Sequence, residues 1–252
     1  MFVDIMTLLP GVLPKSINRH MAAMLCNLSQ QFLDANAIAV LLSGSVLRGD
    51  NLPLSDVDLY LRMSGSFRSE NKELASYVLI ARKIIWPSLQ EIHRAGICNI
   101  QVRFLSDKHK YPKGLLAAIA GDTWLPEPMT DDELKEEARR RLDDFPHPPR
   151  YYYEYLLHTG IDWAIRLPRL VMIDVFPLLR FLLIREGYNP TTVWQWSKEE
   201  VIAKFPVALP YWRLLWDINP LLPDPNKGLQ CALAGIELME HFLKCVPRQS
   251  VL

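Results

Sequence analysis

The sequence predicts an α+β protein: a mixed sheet flanked by helices in the first half, then an all-helical second half. Three observations lead there. Short apolar or alternating runs of strand length occur at 37–43, 56–63 and 97–106, all in the first half. From Tyr151 onward only helical periodicity is found, with no alternation and no internal repeat. A proline-bearing stretch near 126–130 divides the two, and charge becomes dense after Thr130. The expected domains are residues 1–128 and 129–252.

Each element has its own local reason. "KSINRHMAAMLCNLSQQFLDAN" predicts a helix, with Ser16 as N-cap and Ile17, Met21, Met24, Leu25, Leu28 and Phe32 at steps of three and four. "AIAVLLS" (37–43) predicts a strand covered on both faces, since its apolar run is nearly continuous. "DVDLYLRM" (56–63) alternates, with Val57, Leu59 and Leu61 on one face and Asp56, Asp58 and Tyr60 on the other. Ser69 to about His93 predicts a helix that Pro87 kinks or splits, with Gly96 as a stop. "ICNIQVRFLS" (97–106) predicts a third strand. "GLLAAIAG" (114–121) predicts a short helix, and "DTWLPEPMT" a linker. "DDELKEEARRRLDD" predicts a charged helix, its acids early and its arginines late as the macrodipole favours. Further helices are predicted at 151–166, 169–186, about 197–205, 210–217 and 228–246.

Bulk properties remove some functions. Lys plus Arg and Asp plus Glu number 28 each, so no global field draws the chain to nucleic acid or an anionic membrane. The four cysteines form no CxxC, which points to reduced thiols rather than a zinc site or a disulfide framework. "MFVDIMTLLPGVLPKS" lacks a basic n-region and contains two prolines, unlike a signal peptide. The most apolar window, 167–184, contains Arg169, Asp174, Arg180 and two prolines, which suits a buried helix better than a membrane span. A cytoplasmic protein with no membrane partner is expected.

One stretch carries chemistry: "LLSGSVLRGDNLPLSDVDLYLRM", residues 41–63. Aspartate is a poor strand former, so two aspartates on one strand face need a reason. Gly44 and Ser45 follow a strand and are expected to open a helix or tight turn. Backbone N–H groups there would face outward, and glycine would let a phosphate come close. About ten residues later come Asp56 and Asp58. Carboxylates at i and i+2 sit roughly 6–7 Å apart at the Cα level, a spacing that reaches one or two Mg²⁺ ions shared with substrate phosphates.

"GSVLRGDNLPLSDVDL" resembles the signature of the nucleotidyltransferase superfamily, the DNA polymerase beta-like fold. Within it, the chain is similar to the aminoglycoside adenylyltransferases of the streptomycin and spectinomycin type. The spacing from Gly44 to Asp58, Ser55 before the first aspartate and the trailing helical half carry that similarity. So do "WLPEPMTDDELKEEA" and "FLLIREGYNPTTVWQWSKEEVIAKFP". The resemblance implies a nucleotidyltransferase-type N-terminal domain. It also implies transfer of AMP from Mg·ATP to a hydroxyl of a small molecule such as an aminoglycoside, releasing pyrophosphate, and hence antibiotic resistance. Gly44, Ser45 and Ser55 would contact the triphosphate, Asp56 and Asp58 would hold Mg²⁺, and Lys198 would meet a phosphate or the substrate.

The third strand departs from the family pattern. Where a further carboxylate serves as metal ligand or base, "IQVRFL" puts Gln101, which cannot take a proton at neutral pH. Four explanations stay open: Asp107 is the true third acid; Asp174, Glu154 or Glu186 acts as base; the protein binds nucleotide with little catalysis; or Gln101 is an engineered isostere of Glu. Other functions also stay open. A transferase acting on tRNA or protein would show a basic stripe from Lys108 to Arg139–Arg141, and a nucleotide sensor would bind without turnover. Arg48 and Arg62 flank the motif and suit either phosphate or solvent. The base of the nucleotide, the acceptor and the oligomeric state are not encoded legibly.

Overall fold

Strand β1 (Ala37–Ser43) lies inside a four-stranded sheet, and its sequence explains that position. Val40 and Leu42 face one apolar cluster, while Ala39 and Leu41 face another. A strand apolar on both faces gains from burial on both, at about 1.5–3 kcal/mol for each Leu or Val. The sheet order is β3 (Asn99–Phe104), β2 (Asp56–Met63), β1 and β5 (Leu116–Gly121). β1 runs antiparallel to β2 and to β5, and β2 runs parallel to β3. The protein is thus α+β with a mixed sheet. The computed structural model describes residues 19–63, 78–86, 99–105, 110–143, 145, 149–157 and 163–244. Ser16, Ile17, Pro87, Gly96 and Asp107 lie outside them, as does most of the helix expected at 69–93.

Helix α1 (Arg19–Asp34) turns Met21, Met24, Leu25, Leu28 and Phe32 onto the sheet face formed by Val40, Leu42, Val57, Leu59 and Leu61. Ala81 and Ile84 from α3 (residues 78–86) join that cluster. The short α2 (Gly44–Arg48) follows β1 directly.

Within the segment 114–121 expected as a helix, Leu116–Gly121 is a strand. Alanine favours helix intrinsically, but the run is too short for that preference to decide. Beside it, β1 exposes a row of backbone donors and acceptors, and pairing them costs less than leaving them buried and bare. Register runs from Ser43 opposite Leu116 to Ala39 opposite Gly121. The expected linker also holds a strand: β6 (Pro128–Met129) pairs with β4 (Tyr111–Pro112).

The chain divides into two units: Met1–Asn51 with Ser55–Pro128, and Leu52–Leu54 with Met129–Leu252. The described elements after Met129 are all helical. α4 (Asp131–Asp143) buries Leu134, Ala138 and Leu142 and carries its arginines outside. There Arg139 pairs with Glu136 and Asp143, and both Arg140 and Arg141 pair with Glu137. α5 is Pro149–Tyr155.

α6 (Trp163–Arg185) is longer than expected: it passes through Pro168, where a break was predicted, and also contains Pro177, which the expected helix already spanned. Pro168 leaves the carbonyl of Ala164 without its helical donor. α10 (Pro225–Lys244) packs tightly at that carbonyl: a Cβ added at Gly228 would stand 2.2 Å from Ala164 O. Pro177 frees the carbonyl of Ile173, a residue half exposed to water. Packing against α10 therefore holds together a helix that propensity alone would interrupt. α7 (Pro190–Gln195) was not among the expected helices, although its signals are plain: Asn189 accepts the Thr192 N–H at 2.9 Å, and Pro190 opens the first turn. α8 (Lys198–Ala203) begins with a capping box between Ser197 and Glu200. α9 (Leu209–Trp216) follows a 3₁₀ turn at Pro206–Ala208. Among the described residues no helix is long and apolar enough to cross a membrane.

Candidate active site

The site begins with the alternation of β2. Val57, Leu59 and Leu61 enter the core, so Asp56, Asp58 and Tyr60 share the opposite face. Both aspartates are partly buried. Ser43, the last residue of β1, stands opposite Asp58, and the chain then bends at Gly44 with φ of 74°. A Cβ added at Gly44 would lie 2.3 Å from Asp58 Oδ2. Glycine is thus required twice there, for the backbone conformation and for room beside a carboxylate. The Ser43 hydroxyl donates to Leu115 O at 2.7 Å, leaving α2 without a side-chain cap.

The residues expected at the site fall in both units. Gly44, Ser45, Ser55, Asp56, Asp58 and Gln101 belong to the first, and Lys198 to the second. Ser45 and Ser55 are buried. Lys198 is 6% exposed, with Nζ 5.7 Å from the ring centroid of Phe176. Asp174, named as a possible base, accepts a hydrogen bond from the Tyr152 hydroxyl. Glu154 and Glu186 are exposed in the second unit. Arg48 is held at 3.2 Å by Asp50, and Arg62 pairs with Asp122 at 3.3 Å while lying over Trp124.

Parallel pairing of β2 with β3 sets Gln101 opposite Asp58 and Asn99 opposite Asp56. Gln101 Nε2 donates to Asp56 Oδ2 at 2.6 Å. Arg103 Nη2 donates to Gln101 Oε1 at 3.2 Å, and its Nη1 donates to the Tyr60 hydroxyl at 3.1 Å. The Tyr60 ring meets Tyr111 edge-on, with centroids 5.1 Å apart. Burial pushes the Tyr111 hydroxyl far above the usual phenol range. A hydrogen bond with Tyr60 and the charge of Asp58 push the same way, while Arg103 opposes. Sequence reasoning missed Arg103, Tyr60 and Tyr111. The signal for the first two was present: Arg103 is two residues beyond Gln101, and Tyr60 two beyond Asp58, each on the same strand face as its neighbour.

The donor set suits a hard divalent cation. Asp56 and Asp58 offer carboxylate oxygens from one face, and Gly44 keeps that face open beside Asp58. Among the described residues no group of three or more His, Cys, Asp or Glu is placed to hold a metal. Comparisons with known proteins find no family model, no curated protein and no solved structure that matches the chain.

Proposed function

We propose that the protein is a nucleotidyltransferase of the DNA polymerase beta-like fold, moving a nucleoside monophosphate, AMP from Mg·ATP in the first instance, to a hydroxyl of a small molecule. One observation carries the reading: two carboxylates share a strand face, and one of them lies against a positive-φ glycine that directly follows the preceding strand. Asp56 and Asp58 would hold Mg²⁺, which supplies charge neutralisation for the triphosphate when bound. The acceptor oxygen bonds to the α-phosphorus, the bond to the bridging oxygen breaks, and pyrophosphate leaves. The amide of Gln101 has no basic site, so the hydroxyl proton goes to another acceptor, a carboxylate elsewhere in the chain or water. Placement of the reactants and electrostatics then supply most of the rate. A hydroxylated polycation such as an aminoglycoside is the acceptor class to try first, on the strength of the sequence resemblance.

The test is a pyrophosphate-release screen of four nucleoside triphosphates against aminoglycosides, other alcohols and bulk tRNA. Asp56→Asn and Asp58→Asn are each expected to abolish the nucleotide-dependent release. Release at the wild-type rate in both variants rejects the assignment. Preference for tRNA would move the acceptor to a macromolecule. A second reading, a nucleotide-binding protein with weak catalysis, is favoured by the hydrogen bond between Gln101 and Asp56. Calorimetric binding of Mg·ATP with no release across the whole panel would select it.

A further inference from the structure

We propose that this site takes a single divalent cation per chain, and that Gln101, held by Arg103, is what excludes a second. The inference rests on reading Asp56 and Asp58 as the cation ligands. A guanidinium donates and never accepts, so the Gln101 atom that faces Arg103 Nη2 at 3.2 Å is the carbonyl oxygen. The amide nitrogen must then face Asp56 Oδ2, where it stands at 2.6 Å. Arg103 is itself fixed through Nη1 to the Tyr60 hydroxyl, with its guanidinium carbon 5.8 Å from that ring's centroid.

Three consequences follow for cations. The carbonyl oxygen is the one atom of Gln101 that a hard cation accepts, and it is engaged by Arg103. One oxygen of Asp56 already accepts an N–H from Gln101, so it has less electron density to offer a further cation. Finally, two divalent ions about 3.5–4 Å apart repel strongly and require carboxylates to hold them. Here Gln101 adds a neutral amide opposite Asp58, and Arg103 adds a positive charge behind it. No third acid joins the pair among the described residues.

The experiment counts Mn²⁺ bound per chain, by electron paramagnetic resonance or equilibrium dialysis, at saturating α,β-methylene-ATP. One ion is expected on the wild type and two on Gln101→Glu. Arg103→Met releases the amide to turn its oxygen toward the pair, so a second and weaker ion is expected there; an unchanged titration removes Arg103 from the account. Two ions on the wild type overturn the inference and leave the nucleotidyltransferase reading intact. A Gln101→Glu protein that stays at one ion overturns it as well, since something else then sets the limit. No ion on either protein overturns the inference and the reading together. The wild-type count needs no variant, so a Gln101→Glu chain that fails to fold does not protect the proposal.

Discussion

Gly44 is the residue at which backbone and chemistry meet. Its φ of 74° is a conformation that L side chains rarely adopt, and a methyl group there would press on Asp58 Oδ2. Gly44→Ala is expected to lower stability by roughly 1–3 kcal/mol, read as the urea midpoint. It should also displace Asp58 and remove pyrophosphate release in a chain that remains folded. Gln101 gives the opposite kind of test. If the hydroxyl proton now leaves without a protein base, Gln101→Glu supplies one, and turnover should rise by about 10²-fold or more. The gain should follow a pH profile with a carboxylate limb that the wild type lacks. Equal rates and equal profiles for the two proteins would remove this position from the chemistry.

Elements are decided by their neighbours where local preference is divided. Replacing Gly228 in α10 by alanine should stabilise a free helix by about 1 kcal/mol. In this protein the added methyl would meet the Ala164 carbonyl at 2.2 Å, and the contact is to backbone, which cannot swing aside. The clash wins, and Gly228→Ala is expected to destabilise by about 1–3 kcal/mol in chemical denaturation. A rise in stability would mean that α6 and α10 are less closely apposed. The same competition explains which elements were legible beforehand. α1, β1, β2 and α4 were readable because each carries an unmixed local pattern: one apolar stripe, one continuous run, one alternation, one ordered charge gradient. β5 was not, because Ala117, Ala118 and Ala120 suit helix or strand until β1 offers hydrogen-bonding partners. The passage of α6 through Pro168 was not, because its support comes from α10, some sixty residues later in the chain.

For the whole molecule, the acid limb of stability follows from its held carboxylates. Asp131 lies below its ordinary pKa chiefly because the Thr191 hydroxyl donates to it; partial burial opposes, and Asn189 adds a further bond. Glu136 is lowered by Arg139 against some burial. Burial raises Glu137, and Arg141 and Arg140 outweigh it. A carboxylate depressed in the folded state binds fewer protons there than when unfolded. Its contribution is therefore complete above the unfolded pKa and disappears as pH falls through the folded one. The urea midpoint should hold steady from neutral pH to about 5 and then fall toward pH 3. Thr191→Val should make that fall shallower while lowering the midpoint at pH 7. A parallel acid loss in the variant would show that Asp131 does not contribute to it.

The sequence alone determined the facing of Asp56 and Asp58, the glycine bend before them and the helical character after Met129. These depend on local geometry: the two-residue period of a strand, the steric freedom of glycine and the 3.6-residue period of a helix. Tertiary structure alone decided that Gln101 would reach Asp56, that Arg103 would fix its amide, and that Leu116–Gly121 would join the sheet as its β5 edge. Each of those depends on strands meeting from distant parts of the chain, and register between such strands is set by the packing of the whole sheet rather than by the residues beside the site.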